Sequence, residues 1–62
     1  MTWKEAKVLA LQQVKVTHKH FTSEEWLIMK GNVIIFEDGN KMFEEEFMKD
    51  KQHLQNSWYE FE

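Results

Sequence analysis

No cysteine occurs anywhere in this chain, and that absence constrains the fold more than any motif does. A domain of 62 residues buries only about 60% of the surface its unfolded form exposes, so its core is marginal. Domains of this size are usually reinforced by disulfides, a metal or a partner subunit. Disulfides and thiolate zinc sites are ruled out here. With three histidines, a structural metal would have to draw on carboxylates. Self-association is the remaining route, and three Trp, one Tyr and five Phe supply surface for it. A homo-oligomer is therefore expected.

No segment approaches the ~20 apolar residues that cross a bilayer, and the N-terminus lacks the apolar run of a signal peptide. The expectation is a cytoplasmic protein with no membrane association. Disordered chains are poor in aromatic residues, so residues 1–62 read as one folded domain. Charge is distributed unevenly. Residues 1–31 carry five lysines and three glutamates, with His18 and His20, whereas residues 32–62 carry three lysines against eight acids. There is no arginine, the usual bidentate reader of phosphate and guanine. Sequence-specific DNA binding is not expected, and any phosphate site must use lysine, histidine or backbone N–H groups.

Thr2-Trp3-Lys4-Glu5 has the form of a capping box. Trp3, Ala6, Ala10 and Leu11 follow at helical spacing, which predicts a helix over 3–12. Residues 14–18 alternate with period two. Val14, Val16, His18 and His20 fall on one face there, and Lys15, Thr17 and Lys19 on the other. Residues 22–30 admit two readings. Ser23 could cap a helix that stops at Gly31. Alternatively, Gly31-Asn32 is a two-residue hairpin turn into Val33-Ile34-Ile35-Phe36. The hairpin is preferred, because a β-branched run needs a neighbour to pair with. Asp38-Gly39 follows as a second turn of the type I′ kind, leading into residues 40–43, so the middle of the chain reads as a three-stranded meander. Phe43, Phe47 and Leu54 then predict a helix over 44–54, with Glu44, Glu45 and Glu46 at its positive end. Trp58-Tyr59-Glu60-Phe61 reads as a last strand. The fold class expected is α+β, a small antiparallel sheet of about four strands with two helices, in the order α-β-β-β-α-β.

Chemistry-bearing patterns are sparse. His18 and His20 share a strand face, which suits a phosphate-contacting edge or simply a polar strand end. A metal site needs three or four ligands, and the sequence places no third, so none is expected. Glu44, Glu45 and Glu46 are consecutive and so point in different directions on a helix. Ser23 and Ser57 lack nucleophile-elbow glycines, and no phosphate-binding G-x-x-x-x-G-K-[ST] loop exists. Neither an enzyme nor a cofactor is expected. Strand 58–61 is apolar on both faces, with Trp58 on one and Tyr59 and Phe61 on the other. That pattern suggests a subunit interface.

A resemblance bears on function. Glu5-Ala6 in the first helix, Lys15-Val16-Thr17 in the first strand, His18 at a basic position, Phe21 at an aromatic one and the closing Trp58-Tyr59-Glu60-Phe61 together resemble the phage Thoeris anti-defence proteins. These are small sponges that sequester cyclic-nucleotide immune signals. The chain departs from that pattern at Gln13, where the family has a turn glycine. It departs again at His18, which replaces arginine, and at Phe21, which replaces tryptophan. The resemblance implies an oligomer in an infected bacterial cell, binding a nucleotide-derived signal between subunits without catalysis. Within it, Phe21 or Trp58 would stack on a base, and His18 with Lys15 or Lys19 would hold phosphate. An alternative partner is a host protein. Glu37, Asp38, Glu44, Glu45, Glu46 and Asp50 would mimic a phosphate backbone and block a nucleic-acid or defence enzyme. A structural protein without a ligand is the third reading.

Overall fold

A computed structural model describes residues 1–50 and 54–62. The first helix, α1 (Trp3–Leu11), starts where the sequence places it. The Thr2 hydroxyl accepts from the Glu5 N–H, and the Glu5 carboxylate accepts from the Thr2 N–H. These bonds hold the Glu5 carboxyl below its usual range, the backbone N–H of Thr2 being the main cause. At the other end the Gln13 N–H donates to the Ala10 carbonyl at 3.0 Å and the Val14 N–H to the Leu9 carbonyl at 3.1 Å. This is the Schellman arrangement, which needs a left-handed residue after the cap and normally uses glycine. Gln13 takes that conformation itself, at φ 67°. Its side-chain Nε2 donates to the Met29 carbonyl at 2.9 Å, tying the strained turn to the sheet.

Five strands follow: β1 (Val16–His18), β2 (Leu27–Lys30), β3 (Val33–Phe36), β4 (Lys41–Phe43) and, after helix α2 (Glu44–Asp50), β5 (Trp58–Glu60). They form one antiparallel sheet in the order β4-β3-β2-β1-β5. The fold is α+β as expected. The strand count is five rather than about four, because β1 is additional to a full meander of β2, β3 and β4. Residues 22–30 resolve as the hairpin. Gly31 has φ 59° and Asn32 is not in the left-handed region, the pattern of a type II′ turn with glycine first.

Three expectations need correction. The β3–β4 turn is not type I′, which would place Asp38 at positive φ; only Gly39 is there, at 88°. Phe36 accepts from the Gly39 N–H and donates to the Asn40 carbonyl, giving a three-residue loop closed by a left-handed glycine. Phe43 is not part of a helical stripe. It ends β4 and is 51% exposed. The second helix is described as far as Asp50 rather than to residue 54. Residues 51–53 lie outside the described part, and Leu54 is non-helical yet buried.

Residues paired across antiparallel strands share a face. Val16, Leu27 and Phe36 therefore share one side with Met29, Ile34 and Met42, and with His18 and Trp58. Both helices lie against this side. Trp3 of α1 meets Phe47 of α2 at 5.8 Å and Trp58 at 4.8 Å between ring centroids, within the favourable range for aromatic pairs. Ala6 and Ala10 are fully buried and let α1 approach the sheet closely. Among the described residues no helix is long and apolar enough to cross a membrane.

Candidate functional site

The short strand β1 sets the position of the histidines. His18 is its last residue and is 2% exposed. Its Nδ1 accepts from the His20 backbone N–H at 3.0 Å. That assignment leaves the proton on Nε2, which donates to the Asn56 carbonyl at 2.6 Å. The imidazole thus clamps the turn after β1 to the approach of β5. His20 does not continue the strand face. It lies in the turn, exposed, with its ring 5.3 Å from that of His18.

Two of the sequence-derived ligand residues are therefore corrected. His18 cannot present a cation to phosphate while its ring nitrogens serve backbone groups in the interior. Trp58 cannot stack on a base. It is 1% exposed, edge-on to His18 and Phe21, and its Nε1 donates to the Leu54 carbonyl at 2.6 Å. Two of the three departures from the resemblance, His18 and Phe21, pack together with ring centroids 5.9 Å apart. Of the two apolar faces of strand 58–61, α1 covers the Trp58 side and Tyr59 is left 51% exposed on the other. Thr17, on the opposite face of β1 from His18, is also buried, its hydroxyl donating to the Glu25 carbonyl at 2.7 Å.

Lys15 and Lys19 separate. Lys15 extends over the Trp26 ring, Nζ 4.5 Å from its centroid, a cation–π contact. Lys19 is exposed in the turn. Phe21 is half-buried and forms one wall of a cavity of about 370 Å³. Phe36, Met42, Phe47 and Leu54 complete the apolar lining, and His20, Glu25 and Asp50 contribute polar groups. That volume falls at the small end of the range for ligand sites, about 300–1,000 Å³. Sequence reasoning found Phe21 but missed Phe36 and Phe47. Phe36 was legible as an alternating strand residue, but nothing in the pattern placed it opposite α2.

The acidic set also divides. Glu45, Glu46 and Asp50 are exposed on α2, and Glu37 and Asp38 are exposed in the β3–β4 turn. Asp38 is partly occupied locally, accepting from the Asn40 backbone and side chain. Glu44 is corrected as a partner-binding residue because it is spent inside the fold. Its carboxylate accepts from Trp3 Nε1 at 2.9 Å and pairs with Lys7 at 2.7 Å. Burial pushes the Glu44 carboxyl up, but the Lys7 and Trp3 hydrogen bonds and the Lys7 charge together outweigh it, leaving the group below its usual range. Among the described residues, no three His, Cys, Asp or Glu side chains are grouped to hold a metal.

No protein-family model, curated protein or solved structure matches this chain.

Proposed function

We propose that this chain is a small phage-type accessory protein that binds and sequesters a nucleotide-derived immune signal without catalysis. The observation that supports this reading is the cavity beside Phe21. Aromatic walls from Phe21, Phe36 and Phe47 suit a base, and Glu25 and Asp50 suit ribose hydroxyls. Exposed His20 and Lys19 stand nearby for phosphate. The ligand-holding role moves from His18 and Trp58, which pack against the Phe21 ring, to the groups that line the cavity. Self-association belongs to the same reading. Val8 and Leu11 are 55% and 43% exposed on the outward side of α1, an apolar surface for a second copy.

Thermal unfolding tests the proposal. A ligand that binds only the folded state at 100 times its Kd stabilises by about 2.7 kcal/mol. At about 4–8 °C per kcal/mol for a domain of this size, the melting temperature should rise by more than 10 °C. A panel of cyclic di- and trinucleotides and cyclic ADP-ribose isomers that leaves it unmoved refutes the reading. The acidic-inhibitor alternative keeps support from exposed Glu45, Glu46 and Asp50, which lie together on α2. Pull-down of a host enzyme in a salt-sensitive complex would favour it.

A further inference from the structure

The face of the sheet turned away from both helices is apolar where a solvated sheet is polar. An antiparallel sheet with one bare side normally alternates apolar-in and polar-out. Here the register puts Ile28 beside Ile35 and Val33 beside Phe43 on the bare side, with Tyr59 at the β5 edge. Trp26 stands two residues ahead of Ile28 on the same face, with Lys15 over its ring and Phe61 6.4 Å away. The isoleucines are half-buried, and Phe43 and Tyr59 are each 51% exposed at opposite edges of the sheet. An apolar patch of this kind marks an interaction surface.

Charges of both signs surround that apolar centre. Lys30 ends β2 at the Gly31-Asn32 turn, and Lys41 opens β4. Glu37 follows β3 at the end opposite that turn and continues the same face. Glu60 and Glu62 stand with Tyr59 and Phe61 around a hollow at the β5 edge. An apolar centre inside a mixed, exposed rim is the anatomy of a protein interface. Thr17, buried in this face, already donates its hydroxyl to the Glu25 carbonyl, so covering it strands no donor there.

We propose that two copies of this chain pack sheet on sheet through the open face. Two-fold pairing sets one surface against itself, and this surface is self-complementary. With the strands of the two sheets aligned and the axis running across them, the Gly31-Asn32 end of each copy lies on the Glu37 end of the other. Lys30 then meets Glu37 twice by symmetry, and Ile28 and Ile35 close the centre. The area suffices. A body of 22 × 21 × 20 Å exposing 4303 Å² turns about one sixth, roughly 700 Å², to each side, so two faces bury about 1,400 Å², within the ~1,200–2,000 Å² of stable interfaces. The inference rests on the self-association in the reading above and gives it a surface besides Val8 and Leu11. It uses nothing of the cavity beside Phe21, so it stands or falls apart from ligand binding.

The test is light scattering on the eluting protein over a dilution series, with melts by circular dichroism to check each variant's fold. The wild type should run at twice the 7.6 kDa of one chain. Ile28→Lys should run as a folded monomer, because pairing would bury an unpaired charge. Should that variant fail to fold, a charge swap at exposed positions still decides. Lys30→Glu should weaken association about 2- to 30-fold, a few-fold for each rim pair counted twice, and adding Glu37→Lys should restore it. Three results overturn the proposal. One is a wild-type monomer at every concentration. Another is a dimer that Ile28→Lys leaves intact and Val8→Lys splits, which would assign the second copy to α1. The third is a Lys30→Glu/Glu37→Lys double variant no tighter than Lys30→Glu alone.

Discussion

Glu44 is the carboxylate whose removal the structure makes most informative. It joins α2 to α1 twice, through the Trp3 indole N–H and the Lys7 ammonium. Replacing it with glutamine keeps an oxygen for Trp3 and removes the ion pair. Lys7 is 36% exposed and Glu44 22%, so solvent screens the pair and the loss should be about 0–1 kcal/mol. Replacing Glu44 with alanine also strips the acceptor from Trp3, a residue 5% exposed, which costs a further ~1–3 kcal/mol. A domain of this size has roughly 3–9 kcal/mol in total. A loss of 2 kcal/mol should lower the melting temperature by about 8–16 °C. The pH dependence separates the two contributions. The folded carboxyl titrates below its ordinary value of 4.5. Its stabilisation is therefore complete above that value and is lost as pH falls through the folded pKa. The gap between wild type and Glu44→Gln should close in acid, whereas the gap to Glu44→Ala should persist, because a protonated carboxyl still accepts from Trp3. Thermal melts by circular dichroism at about pH 7 and about pH 3 read both gaps. A Glu44→Gln gap of equal size at both pH values would refute the ion-pair assignment. An unchanged melting temperature for Glu44→Ala would refute the role given to Trp3.

Two further substitutions follow from the same packing. Trp58→Phe removes the N–H that serves the Leu54 carbonyl and some ring volume from the centre of the aromatic cluster. It should cost about 2 kcal/mol in denaturant titration, and an unchanged midpoint would contradict the burial described. Gly39→Ala meets no atom within 4 Å but holds φ at 88°, so its cost should be backbone strain alone, about 1–2 kcal/mol. A D-alanine placed there by synthesis should instead stabilise by about 0.4–1 kcal/mol; if both enantiomers destabilise equally, strain is not the cause.

The legible parts of the fold were those governed by neighbours in sequence. Thr2 and Glu5 announced the start of α1, and Gly31-Asn32 with a β-branched run announced the β2–β3 hairpin. The end of α1 was legible without its usual glycine, because the apolar periodicity stopped there. What failed depended on partners distant in sequence. His18 looked available because two histidines alternate along a strand; nothing local reveals that the Asn56 carbonyl waits for its ring. Glu44 looked like one of three equivalent acids until Trp3 and Lys7 were placed beside it. Trp58 and Tyr59 were correctly put on opposite faces, but sequence alone did not show that α1 covers the first and leaves the second bare. Phe43 followed helical spacing by coincidence: four residues before Phe47, it also suits the last position of a strand.

The pairing of β1 with β5 has a consequence for how the molecule assembles. The Met1 ammonium and carbonyl both bond to the Trp58 backbone, 57 residues away along the chain, and the Trp3 N–H donates to the Gln55 carbonyl. The meander of β2, β3 and β4 closes through short turns, on the microsecond scale of hairpins. The other half of the sheet cannot zip in the same way, because β1 and β5 are far apart in sequence. Loop-closure entropy must be met before the aromatic cluster rewards it. Folding should therefore be paced by the late arrival of β5 between the turn after β1 and the N-terminal helix. Until then the meander waits as a half-built sheet with one apolar side bare.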